Sequence, residues 1–135
     1  MAQGTPNFAI SPIAAAAVVQ AANTSRAAPT NPVVVVAAGQ AGCRIERVVV
    51  APTGTTTAGV VSLYLYDGAN YRFYFDLPVP GVTVTTTTRI NVQTLEAVTA
   101  PHLMPLVLPP GWSLVATVSV AQANPINVFA IGGNF

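Results

Sequence analysis

The chain has no lysine, one cysteine and one histidine, and its 135 residues carry only five arginines and four acids. At 7% charged residues and a net charge of +1 it falls far below the roughly 25% charge of an average soluble domain. That scarcity excludes the dense basic footprint by which a protein holds nucleic acid or an anionic membrane. A lone Cys43 excludes an internal disulfide; at the start of a strand pattern it reads as a small buried apolar residue. His102 sits between Pro101 and Leu103 with no second histidine, whereas a zinc site needs three or four protein ligands. A Ser-His-Asp triad could use only that histidine, and no serine lies in a nucleophile-elbow glycine pattern. The acids Glu46, Asp67, Asp76 and Glu96 are isolated from one another in sequence. A hydrolytic carboxylate pair would have to assemble from separate strands. Against that, Asp67 reads as a turn residue, and Glu46 and Asp76 have arginines at hand. The segment "GTTTAG" lacks the lysine of a phosphate loop. The expectation is a protein that is not an enzyme and uses no cofactor or metal.

Long apolar runs are missing too. Ile13–Val19 and Pro32–Ala38 are far shorter than the roughly 18 residues of a membrane helix. The alanine-rich start has no basic residue before Arg26 and is broken by Pro6 and Pro12, unlike a secretory signal. With so little charge to keep a monomer dispersed, we expect neighbouring subunits to cover much of the surface, most simply as a homotrimer. The alternative is a monomer solubilised by its many Thr, Asn, Gln and Ser side chains.

What the chain does have is β-branched residues in alternation. Residues 1–12, "MAQGTPNFAISP", hold two prolines and no period, and read as an extended arm that docks through Phe8 and Ile10. Residues 13–135 read as one domain. "IAAAAVVQAANTSRAAP" has helical composition but no i, i+3, i+4 stripe, which favours a strand, and "PVVVVAA" reads as a buried strand. In "CRIERVVVA" the alternation slips between Ile45 and Val48; a one-residue bulge at Glu46–Arg47 puts Cys43, Ile45, Val48 and Val50 on one face. "VTVTTTTRINV" alternates strictly, with Val82, Val84, Ile90 and Val92 expected inward. "PLVLPPGW" reads as a short strand and a turn, with Trp112 at the head of an inward row, and "INVFAIGG" reads as a closing strand. About seven to nine short strands without a helix predict an all-β antiparallel sandwich or jelly roll.

Residues 60–77 form the clearest hairpin. If Val61, Leu63 and Leu65 share the core face with Tyr71, Phe73, Phe75 and Leu77, odd positions must pair, which demands a turn of three or five residues around Asp67–Gly68–Ala69. The opposite face would then present Ser62, Tyr64, Tyr66, Arg72, Tyr74 and Asp76, an aromatic and polar surface suited to an interface. Tyr64, Tyr66, Arg72 and Tyr74 are therefore the candidate contact residues. Stacking on sugar rings would use the same tyrosines.

The stretches "RIERVVVAPTGTTTAGVVSLYLYDG" and "PLVLPPGWSLVATVSVAQANPINVFAIGGNF" resemble small structural proteins encoded among the head and tail genes of tailed bacteriophages, over about residues 42–135. The resemblance rests on turn and core signals, and the first third of the chain matches less clearly. It implies a virion component made in the host cytoplasm, a decoration (cement) protein on the capsid surface with the major capsid protein as partner. The alternative is a tail or fibre module that binds host glycans.

Overall fold

A computed structural model describes residues 11–90, 92–96 and 100–135. It is an all-β sandwich of two antiparallel sheets. The described residues form nine strands in chain order: β1 (Ser11–Val19), β2 (Val33–Ala37), β3 (Cys43–Pro52), β4 (Gly59–Tyr66), β5 (Tyr71–Val79), β6 (Gln93–Glu96), β7 (Leu106–Leu108), β8 (Ser113–Val118) and β9 (Ile126–Asn134). One sheet runs β1-β9-β3-β6, with β7 also paired to β3; the other runs β2-β8-β4-β5.

The pairings nest. The β4·β5 hairpin lies innermost, followed outward by β3·β6, β2·β8 and β1·β9. Two further pairings, β3·β9 and β4·β8, join these layers into the two sheets. Between the sheets lies a core that includes Val19, Ile45, Val48, Val50, Leu63, Leu95, Leu108, Leu114, Ile126 and Val128. Trp112 packs against it from one end, as its position in the alternation predicts.

Alanine-rich β1 is a strand despite its helical composition, because tertiary pairing overrides propensity: it registers with β9 from Ser11↔Asn134 to Val19↔Ile126 without a break. Ser11 and Pro12, expected in the arm, belong to this strand, and the rest of that arm, with Phe8 and Ile10, lies outside the described residues. The bulge in β3 falls where the alternation slips, with the register shifting between Ile45 and Arg47. Cys43, Ile45, Val48 and Val50 are all fully buried, and Glu46 and Arg47 face solvent. The Pro109–Pro110–Gly111 turn forms as predicted. Gly111 has φ +82°, and Trp112 N–H donates to the Pro109 carbonyl at 3.2 Å. That is the backbone of a type II turn, which places a left-handed residue third.

Strict alternation misleads at residues 82–92. Among the described residues of this segment only Val82 makes a bridge, to Thr56, while Ile90 and Val92 are exposed. The local chemistry competes with a strand there: Thr85 Oγ1 lies 2.8 Å from Thr88 Oγ1, and Thr87 N–H donates to Thr85 Oγ1 at 3.4 Å.

Buried Gln122 ties two loops together. Its Oε1 accepts from Thr57 N–H at 2.9 Å, and its Nε2 donates to the Thr57 carbonyl at 2.9 Å and the Val120 carbonyl at 3.2 Å. Gln122→Ala leaves the Thr57 backbone groups without these partners, and urea denaturation should record a loss of about 1–3 kcal/mol.

Candidate interaction surfaces

The β4·β5 hairpin carries the residues to which sequence assigns contact, and its two halves follow different registers. In the stem the odd positions pair as expected, Val61↔Leu77 and Leu63↔Phe75. The register then shifts, and the pairs become Tyr64↔Phe73, Leu65↔Arg72 and Tyr66↔Tyr71. A bulge at Tyr74 therefore replaces the odd-length turn, and the loop has four residues, Asp67–Asn70. Asp67 Oδ1 accepts from Ala69 N–H at 2.9 Å and Asn70 N–H at 2.8 Å, while Gly68 takes φ +98°. Those backbone hydrogen bonds, with Arg72 nearby, hold the Asp67 carboxyl below its usual pKa.

The bulge exchanges the faces of β5 toward its start, so Phe73, expected in the core, joins the outer face and is 51% exposed. Tyr64 keeps the outer face expected of it, yet it is only 1% exposed. Tyr74 is half-buried against the core, with its hydroxyl donating to the Leu103 carbonyl, and burial raises its pKa. Ser62 is buried as well, and donates to Asp76 Oδ1 at 2.6 Å. Of the four tyrosines and arginines singled out, only Tyr66 and Arg72 stay at the surface. Tyr66 stacks on Tyr71 with ring centroids 4.4 Å apart, and Arg72 lies 3.4 Å from Asp67. The aromatic surface of Tyr64, Tyr66 and Tyr74 is not assembled, so a sugar platform built on those three rings is absent.

What buries Tyr64 is distant in sequence. The link between β1 and β2, residues 20–32, crosses the outer face of the β2-β8-β4-β5 sheet. It is held there by Asn23 N–H donating to the Val118 carbonyl at 2.7 Å and by the Tyr64 hydroxyl donating to the Arg26 carbonyl at 3.0 Å. Arg26 also pairs with Asp76 at 2.8 Å and lies 5.6 Å from the centroid of the Phe73 ring. Within the link, Asn23 Oδ1 accepts from Thr30 N–H at 2.8 Å, and Asn31 Nδ2 donates to the Ala22 carbonyl at 2.7 Å. Beneath the link, one row crosses all four strands: Val34, Val115, Tyr64 and Phe73. Its middle is covered, and its ends, Val34 and Phe73, are exposed.

The other sheet is different. Its outer face presents the register rows Ala14–Ile131–Arg47–Glu96, Ala16–Phe129–Val49–Thr94 and Val18–Asn127–Ala51. Two of those three rows carry no charge. Arg44 and Glu46 pair at 2.5 Å beyond the Arg47 end. This largely apolar face is a second candidate interaction surface, one that the search for aromatic residues does not pick out. Its signal is the small and β-branched residues in the outward positions of β1, β3 and β9.

Groups able to do chemistry lie apart. Among the described residues no three of His, Cys, Asp and Glu converge as metal ligands. Cys43 is buried, and burial raises its thiol pKa, which disfavours the thiolate a nucleophile needs. His102 is exposed in the turn before β7. The fold thus defines the chain as an antiparallel β-sandwich with one largely apolar sheet face that no strand among the described residues covers. Comparison with protein-family models, curated proteins and solved structures returned no match.

Proposed function

We propose that the protein is a structural component of a tailed-phage virion, a decoration protein that binds the major capsid protein on the capsid surface. The observation that carries this reading is the two uncharged rows on the outer face of the β1-β9-β3-β6 sheet, around Ala16, Phe129 and Val49. A chain with so few charges and an open apolar face is suited to burying that face against a partner. The nested pairing β4·β5, β3·β6, β2·β8, β1·β9 supports reading the sandwich as a jelly roll, an architecture used by capsid and lectin domains. That support is an analogy of fold, and the residues of the open face carry the specific claim. Many copies on one lattice turn individually weak contacts into firm attachment.

The test is co-sedimentation with purified capsids that lack the protein. Wild type should be retained to a saturating stoichiometry, and Val49→Glu, on the open face, should weaken retention at least tenfold while leaving the melting temperature within a few degrees. Failure of the wild type to bind capsids, with binding to host surface glycans instead, would replace the capsid reading with the tail-module one.

A further inference from the structure

A sheet edge is a row of unpaired backbone donors and acceptors, and natural proteins defend such edges with charge, proline, bulges or short strands. Four edges of this sandwich are defended in that way. β5 carries Arg72, Asp76 and Pro78 together with the bulge at Tyr74. β2 has five residues and a register shift between Val34 and Val36. β6 has four residues including Glu96, and β7 has three.

β1 is the exception. It runs for nine residues with no charged side chain, and its pairing with β9 contains no bulge. Its proline, Pro12, stands next to its start and leaves Ile13–Val19 undefended. β9 is its neighbour on one side, and among the described residues no strand pairs on the other. The outward side chains Ala14, Ala16 and Val18 are exposed, Val18 by 50%, and all three are small enough to let another backbone approach.

We infer that β1 is a homotypic edge, which pairs antiparallel with β1 of a second copy across a two-fold axis at Ala15. In this register Ala14 lies opposite Ala16 of the second copy, and Pro12 opposite its Val18. Positions of one parity meet, so the inward residues Ile13, Ala15, Ala17 and Val19 of both copies stay on the core side. Because the strand holds no charge, pairing with itself sets no like charges opposite one another, which is the usual penalty of a self-complementary contact. A charged partner strand gains nothing from this edge that an identical neutral one does not. The contact is small. Nine residues at about 3.4 Å, across a sheet about 10 Å thick, give roughly 300 Å² per copy. Stable interfaces bury about 800 Å² per partner, so the pair is a concentration-dependent dimer and not a permanent one. It stands independently of any capsid partner.

Sedimentation velocity and hydrogen exchange on the full chain, with no capsid present, test this. Wild type should move from monomer to dimer as concentration rises from micromolar to millimolar, and amides in residues 13–18 should become more protected in step. Ala16→Lys should shift the midpoint of dimerisation at least tenfold upward with an unchanged melting temperature, whereas Val49→Glu, two strands away, should dimerise like wild type. A monomer throughout, a fixed mass of three copies, or a dimer with no added protection in β1 each overturns the proposal. So does a monomeric wild type whose variant lacking residues 2–10 dimerises, because the chain's own first residues then occupy the edge.

Discussion

Replacing Tyr64 by alanine should destabilise the protein by about 3–5 kcal/mol, the range for truncating a large buried aromatic. The ring is closed in on the outer face of its sheet by residues 20–32, beside Val115, with its edge toward Phe73 at 5.9 Å between centroids. Phe73→Ala, two strands from Val115 and half exposed, should cost only about 1–2 kcal/mol. It forfeits the edge-to-face contact and the Arg26 cation over its ring, each worth about 1 kcal/mol. Tyr64→Phe separates shape from polarity: it keeps the packing, loses the hydrogen bond to the Arg26 carbonyl, and should cost about 1 kcal/mol. Urea melts of the three variants give the order Tyr64→Ala, then Phe73→Ala, then Tyr64→Phe or equal to it. A Phe73→Ala variant as unstable as Tyr64→Ala would return Phe73 to the core and remove the bulge at Tyr74.

The second large effect belongs to Gly132. It pairs with Ile45 beside the β3 bulge, and a Cβ there would stand 1.9 Å from the Arg44 carbonyl oxygen and 2.9 Å from Ile45 Cα. Both are backbone atoms, so no side chain can rotate away. Gly132→Ala must push β3 off β9 in the pairing that joins the layers of the sheet, and should cost about 3 kcal/mol or more. Gly39→Ala is the control, since its Cβ would meet only the Asn134 side chain, with Oδ1 at 3.5 Å and Cγ at 3.9 Å, both ordinary contacts. It should stay within about 0.5 kcal/mol of wild type. Equal melting temperatures for the two variants would show that β3 and β9 do not approach so closely.

Both effects trace what the sequence discloses and what it hides. The β3 bulge is legible because adjacent Glu46 and Arg47 interrupt a run that otherwise alternates cleanly. The bulge in β5 is not, because Tyr71, Phe73 and Phe75 alternate with Arg72, Tyr74 and Asp76, and aromatic rings occur in both sets. Nothing in that strand says which set is inside. The decision is made by residues 20–32, which come from a different part of the chain and bring Arg26 over the sheet. Residues 82–92 fail for the opposite reason. Their alternation is perfect, but period alone does not supply a strand to pair with, and their threonines bond to one another instead. The outer face of the β1-β9-β3-β6 sheet is hidden because β1 is small or apolar at every position from Ile13 to Val19, so alternation cannot separate its two sides.

The nested pairing also sets the order in which the chain can acquire structure. The innermost hairpin closes a loop of four residues, whereas the outermost layer joins Ser11 to Asn134, nearly the whole described length. Loop-closure entropy rises with each layer, and contacts of such long sequence separation place the protein among the slow folders, on the scale of milliseconds to seconds. During synthesis β1 leaves the ribosome first among the strands and waits for β9, which leaves last. Throughout that interval both sides of β1 are unpaired, and the same absence of charge that leaves its outer side open in the folded protein leaves it without an electrostatic guard against other nascent chains. Its alanines lessen that exposure. Low β-propensity keeps an isolated β1 from joining other strands until β9 arrives to hold it.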